Sequence, residues 1–350
     1  MDIKNNKWKV IGLTTILAVI LIGIFIAIQI GPYNKNNKED IKVDIPAGST
    51  SSSISNILYE NELIKNKALF KVIVKLSNKA THIKAGTYII NQSYSNMNIV
   101  DLLASGKVHH TGIKVTIPEG STSKEIISIL EGNKLGVKDN YMELINNPSQ
   151  FYDKFMFLKQ ADIISLEGFL YPDTYYIDEK SSEKEILSTM LARFDSLYTD
   201  EMTKKEKELN MSLQQIVSLA SIVEKEAVLD PDRAIIASVF YNRLKIGMAL
   251  QSDATIQYIF EERKKIVTYD DLAIDSPYNS YKNKGLPPTP IASPGIKSIK
   301  ATLNPDTTDY IYFVAKMDGG NNYSKTYEQH LKHVKEYREE RDKLNLNEKK

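Results

Sequence analysis

Hydrophobic positions along the chain change period several times, and each change predicts an element. Val10 to Ile30 is a run of 21 residues without a charge and without a polar face. At about 1.5 Å per residue, a helix of that length crosses a hydrocarbon core of roughly 30 Å. Lys4, Lys7 and Lys9 precede it, which places residues 1–9 in the cytoplasm as a short tail and everything after Ile30 outside. A cleaved signal peptide is the competing reading. The run is long for one, and no small-residue cleavage site follows. Residues 10–30 are therefore expected to be an uncleaved membrane helix, and the polar residues 31–40 a linker.

Beyond the linker the pattern alternates between short strands and amphipathic helices. Ile41 to Ile45 reads as a strand, and Ile54, Ile57 and Leu58 recur at helical spacing. Gly86-Thr87-Tyr88-Ile89-Ile90 reads as a strand after a turn. One stretch occurs twice: Ile117-Pro118-Glu119-Gly120-Ser121-Thr122-Ser123 repeats Ile45-Pro46-Ala47-Gly48-Ser49-Thr50-Ser51, 72 residues apart, with a single change. Each copy joins a Val-bearing strand to an apolar-periodic helix, and the Ser and Thr residues are expected to cap that helix. Residues 182–209 read as charged helix and 210–228 as a more apolar one. Asp230-Pro231 then supplies a cap and a first-turn proline for a helix bearing Ile235, Ile236, Val239, Phe240 and Leu244, which stops at Gly247. Gly285 to Pro290 is a proline-rich loop, Tyr310 to Ala315 a strand, and the tail from Thr326 a charged helix that frays. The fold class is α+β.

Composition narrows the chemistry. Net charge is +1 over 350 residues, so nothing global points to nucleic acid. The absence of cysteine excludes disulfides, thiol nucleophiles and cysteine metal sites. His109, His110, His330 and His333 lack the spacing and third ligand that a metal needs, so no metal is expected. The stretch Ser221-Ile222-Val223-Glu224-Lys225-Glu226-Ala227 is the candidate for acid–base work. Ile216, Leu219, Ala220 and Val223 form its core-facing stripe, and the two glutamates flank that stripe about 160° apart. One cleft can use only one of them directly. Glu226 lies in the last turn, where the helix dipole should raise a carboxyl pKa, and Lys225 would oppose that if it lay close. By residue type alone, such a segment is most often a solvated helix face.

A set of ordered motifs changes that balance. They are Leu166 to Tyr175 (LEGFLYPDTY), Ala220 to Ala227 (ASIVEKEA), Ala237 to Leu244 (ASVFYNRL) and Gly247 to Thr255 (GMALQSDAT). Ser276 to Tyr281 (SPYNSY), Gly285 to Ile291 (GLPPTPI), Pro294-Gly295 and Tyr312-Phe313-Val314 follow. With these motifs the chain resembles the MltG (YceG-like) family of endolytic murein transglycosylases from about residue 41 to 335. One departure is Ala254, where proline is common in the family.

The resemblance implies a catalytic glutamate in the Val-Glu-Lys-Glu stretch. Glu226 is the expected residue, because Glu226 to Pro231 resembles the Glu-Ser-x-x-Asn-Pro run of other lytic transglycosylases; Glu224 is the runner-up. Asn242, Gln251, Asp253, Tyr278 and Asn279 are expected to bind sugar. The implied reaction breaks the MurNAc–GlcNAc bond of nascent peptidoglycan, leaves a 1,6-anhydro end and needs no cofactor. It would terminate glycan elongation, beside the synthases (penicillin-binding proteins) that polymerise the strands. A water-using muramidase and a non-catalytic wall-binding scaffold are the alternatives. The implied architecture is a membrane helix, a LysM-like α+β domain over 41–110 and a mostly helical catalytic domain with short sheets over 111–340. Residues 341–350 are expected to be a disordered tail.

Overall fold

The structure, a computed structural model, describes residues 3–46, 48–109 and 112–347. Ala47 of the repeated motif, His110 and the last three residues of the expected tail lie outside them. The chain divides into two compact units, up to residue 111 and from residue 112 on.

The first unit begins with helix α1 (Ile3–Ile30), whose segment Gly12–Ile30 is long and apolar enough to cross a membrane and is unburied along its length. Strand β1 (Asp40–Ile45), helices α2 (Ser51–Glu60) and α3 (Lys67–Leu76), strand β2 (Gly86–Asn91) and helix α4 (Asn96–Ser105) follow. β1 and β2 pair antiparallel, with Val43 opposite Tyr88. Val43, Ile45, Ile54, Leu58, Phe70, Val74, Tyr88, Ile90 and Ile99 close a core between this ribbon and the helices. The alternation of Val43 and Ile45 with polar neighbours places one strand face inside, as period-two patterning requires.

The second unit opens on the same pattern. Strand β3 (Ile113–Thr116), helices α5 (Ser123–Gly132) and α6 (Lys138–Ile145) and strand β4 (Thr174–Ile177) form a second antiparallel ribbon, with Val115 opposite Tyr175. The duplication extends to individual hydrogen bonds. Gly48 and Gly120 both turn the chain at positive φ, 76° and 75°. Thr50 and Thr122 accept the amides of Ser53 and Glu125 at the helix N-caps. Asn61 and Asn133 each donate a side-chain amide to the carbonyl four residues back. Tyr88 and Tyr175 each donate a hydroxyl to a carbonyl four residues back, at 2.7 and 2.5 Å. The second copy carries a long insertion before its return strand, residues 146–173, built on short 3₁₀ turns and packed aromatics.

The remainder of this unit is helical: α7 (Glu183–Leu197), α8 (Asp200–Glu208), α9 (Leu213–Glu226), α10 (Asp232–Lys245), α11 (Asp253–Ile259) and α12 (Ile296–Leu303). A ribbon of β5 (Tyr312–Ala315) and β6 (Asn321–Ser324) and the helix α13 (Tyr327–Asn347) complete it. The architecture is α+β. The charged helix expected over 182–209 is two helices, because Tyr198 takes an extended conformation and Thr199 starts a new helix by capping the Met202 amide. Asp230 does not cap α10 with its side chain, which is drawn instead to Lys297 and Arg233. Helix α13 runs to Asn347, so residues 341–347 are helical rather than frayed.

Gly247 ends α10 as the apolar pattern predicts. Its amide bonds the Leu244 carbonyl and the Met248 amide bonds the Arg243 carbonyl, at 3.1 and 2.8 Å. Gly247 (φ 65°) has open space around its missing Cβ, whereas a Cβ on Gly168 (φ 86°) would run into the Pro290 ring and Val217. Gly247→Ala should therefore cost about 1 kcal/mol, the backbone penalty alone. Gly168→Ala should cost on the order of 3 kcal/mol or more, because it adds a clash in the core. The midpoints of chemical denaturation of the two variants separate the cases.

Candidate active site

Helix α9 is buried on nearly every side from Leu213 to Val223. Ser212 caps it in a reciprocal capping box with Gln215. Full burial ends after Val223, and the last turn brings Lys225 and, in part, Glu226 out of the core.

The two glutamates of that turn go to different places. The Glu224 side chain is only 7% exposed and pairs with Arg233 at 3.2 Å. It also accepts the Gly295 amide at 3.0 Å. Arg233 is held in turn by Ser298 and Asp230. Glu224 thus ties α9 to α10 and to the start of α12. Glu226 is half-buried and forms no ion pair in the structure's described residues. Its Oε1 accepts the Ser252 hydroxyl at 2.5 Å, and the Ala254 amide donates to the carboxylate. Burial pushes its pKa up, and the nearby Asp253 charge pushes it further the same way. The Ser252 bond, the Arg243 charge and the Ala254 amide act in the opposite sense and do not overcome burial. Lys225 does not reach this carboxylate; its Nζ donates to the Gly120 carbonyl at 2.9 Å.

The wall around Glu226 comes from loops. Gln251 is held at φ 49°, a left-handed conformation uncommon for a residue with a side chain. Its amide donates to the Ser280 carbonyl at 3.0 Å, and its side chain is exposed. This kink turns Ser252 inward and Asp253 outward. Ser252, Thr255 and Ser280 form a buried hydroxyl cluster that fixes the hydroxyl facing Glu226. Asp253 is exposed and accepts the Tyr281 hydroxyl at 2.5 Å. Arg243 lies buried beneath, its Nε and Nη1 donating to the Ile311 and Leu250 carbonyls.

Of the residues expected to bind sugar, Gln251 and Asp253 sit beside Glu226. Tyr278 is one layer away, bonding Thr289 and resting its ring 4.9 Å from that of Tyr258. Asn242 and Asn279 take other roles. Asn242 donates to the Thr308 and Tyr310 carbonyls, and Asn279, 0% exposed, donates to the Leu272 and Ile274 carbonyls. Both amides donate to loop carbonyls, and Asn279, whose carbonyl also accepts the Tyr281 amide, presents no group to a ligand. Ser252, Arg243 and Tyr281 were not singled out from sequence, although all three lie inside the quoted motifs. Glu167 was also missed. It is buried, takes the Ser123 amide at 3.0 and 3.1 Å and the Tyr258 hydroxyl at 3.0 Å, and so links α5 to α11.

A half-buried carboxylic acid at a helix end, with a fixed hydroxyl donor and an exposed second carboxylate beside it, is an arrangement suited to acid–base chemistry. The family model described as the YceG-like family matches residues 43–336, and the chain belongs to that family. An endolytic murein transglycosylase of Bacillus subtilis (strain 168) is 36% identical over 316 residues, 87% of each chain. One of Streptococcus pneumoniae (strain R6) is 32% identical over 367 residues, covering 95% of this chain and 66% of that protein. The crystal structure of a YceG-like protein, lmo1499, from Listeria monocytogenes is 36% identical, with a TM-score of 0.59 over 84% of this chain and 99% of that one.

Glu167 carries a pH signature separable from catalysis. Burial raises its pKa from 4.5 to about 7. Between those values the unfolded chain has released the proton that the folded one keeps. The folded state is therefore favoured below pH 4.5 and loses that advantage as pH rises towards 7. Glu167→Gln cannot ionise. Between pH 4.5 and 7 the wild type should lose on the order of 3 kcal/mol more than this variant, at about 1.4 kcal/mol per pH unit. Denaturation curves across that range measure the difference.

Proposed function

We propose that this chain is a membrane-anchored lytic transglycosylase of peptidoglycan, with Glu226 as its single acid and base. The observation that carries this reading is the division of labour in the last turn of α9. Glu224 is locked in an ion pair, while Glu226 makes none among the described residues, is half-buried and has its pKa raised. The names of the relatives, endolytic murein transglycosylase, support the substrate class.

In this reading protonated Glu226 gives its proton to the oxygen of the MurNAc–GlcNAc linkage as the bond to C1 breaks. The acetamido group of the sugar stabilises C1. The C6 hydroxyl of the same muramic residue attacks C1, and its proton returns to Glu226. The product is a 1,6-anhydro end, no water is consumed, and elongation of the strand stops there. Gln251, Asp253 and Tyr281 line the approach. Helix α1 anchors the enzyme with residues after Ile30 outside. The strand–helix–helix–strand order of the first unit supports a LysM-like, glycan-holding role.

One observation favours a second reading. Asp253 is exposed beside Glu226, and paired carboxylates are the equipment of water-using glycosidases. Mass spectrometry of digested glycan strands decides, since an anhydro end is one water lighter than a reducing end. Glu226→Gln should lower turnover about 100-fold or more, as expected for loss of a general acid. Full turnover in that variant would overturn the assignment of Glu226 and turn attention to Glu224, whereas no cleavage by the wild type would leave only a wall-binding scaffold.

The pH profile of kcat/KM tests the assignment of the acid. Activity should fall as pH rises through the raised Glu226 pKa. Ser252→Ala removes a bond that favours the ionised form and should move this limb to higher pH. Asp253→Asn removes a charge that disfavours ionisation and should move it lower. Shifts in the same direction would refute the electrostatic arrangement.

A further inference from the structure

Helix α3 carries a surface that neither the core nor the reaction explains. Phe70 and Val74 face the core. Roughly opposite them, at i, i+4 and i+8, run Ala68, Val72 and Leu76, all exposed, with Val72 at 49% and Leu76 at 77%. Beside that row runs a second, Lys67, Lys71 and Lys75, at the same spacing. From Glu62 to Lys84 the chain holds six lysines and a single acid, Glu62 itself. An apolar row flanked by lysines is the pattern of a helix lying in a membrane–water interface, where aliphatic side chains enter the acyl boundary and ammonium groups reach the headgroups.

The position of α3 supplies the occupant. It lies against the end of α1, and Lys65, two residues before it, donates to the Ile28 carbonyl in the last turn of the span at 3.2 Å. Exposed Tyr33 follows the span immediately, an aromatic at the depth where such residues anchor. A helix tied to the exit of a membrane span has the headgroup layer within reach.

We propose that the outer face of α3 beds into the leaflet from which α1 emerges, with Val72 and Leu76 at the acyl boundary and Lys67, Lys71 and Lys75 on anionic headgroups. The first unit is then fixed at the bilayer surface by two contacts rather than swinging on the linker. This inference rests on reading α1 as a membrane span.

The chain has no cysteine, so single labels are clean. Leu76→Cys and, separately, Leu21→Cys are introduced into the full chain, labelled with an environment-sensitive fluorophore and reconstituted into vesicles. One set is phosphatidylcholine alone, the other phosphatidylcholine with phosphatidylglycerol. The label at 76 should be quenched by acrylamide several-fold less in the phosphatidylglycerol vesicles than after combined Lys67→Glu, Lys71→Glu and Lys75→Glu substitution. The label at 21 should be shielded throughout. A shielded label at 21 with a freely quenched label at 76 overturns this proposal and leaves the anchor standing. An accessible label at 21 overturns both. Shielding at 76 that ignores lipid charge and the lysine substitutions would mean a protein contact, and also overturns it.

Discussion

Everything at the active site depends on the burial of helix α9. A helix that turns apolar or small side chains to all sides for eight residues, Ile216 to Val223, can be housed only in the middle of a domain, and its polar end must then surface at a fixed place. The ion pair from Glu224 to Arg233 and the bond from Lys225 to the Gly120 carbonyl lock that end on two flanks. What is left for Glu226 is a site partly removed from water, with neutral donors and, among the described residues, no ion pair. A carboxyl there keeps its proton more readily than in water, as a general acid must.

The duplicated unit takes part in that lock. In the second copy, the turn at Gly120 donates to the Ser293 carbonyl, and the Ser293 amide returns a bond to the Ser121 carbonyl. The same turn accepts Lys225. A module with its own core in the first unit thus recurs in the second as a buttress for the helix bearing the acid. Sequence exposed the first half of this duplication, because the seven residues from Ile117 repeat almost unchanged. The second half was hidden, since the inserted segment 146–173 moves the return strand out of step. Only matched bonds, such as those of Tyr88 and Tyr175, reveal it.

Periodicity resolved what lies along one helix and failed across loops. The 100° spacing correctly set Glu224 and Glu226 on opposite sides, and each has its own partners. The same reasoning cannot say which loop closes over which side. Ser252 lies 26 residues from Glu226, and it turns inward only because Gln251 adopts a left-handed backbone that no periodic pattern announces. Asn279 shows the converse limit. A polar side chain in a motif-rich stretch suggests a ligand, yet a loop crossing a buried surface must satisfy its own carbonyls, and asparagine amides do so here.

The source of the raised Glu226 pKa also differs from the one the sequence suggested. Position at the C-terminal end of a helix was the first reason offered, with Lys225 as the threat. In the structure burial leads and the charge of Asp253 follows, while Lys225 is drawn away to Gly120. The distinction matters for what can change it. A helix dipole is fixed by the backbone, whereas Asp253 is a single exposed side chain bound to Tyr281, so its part in raising the Glu226 pKa can be removed without disturbing α9.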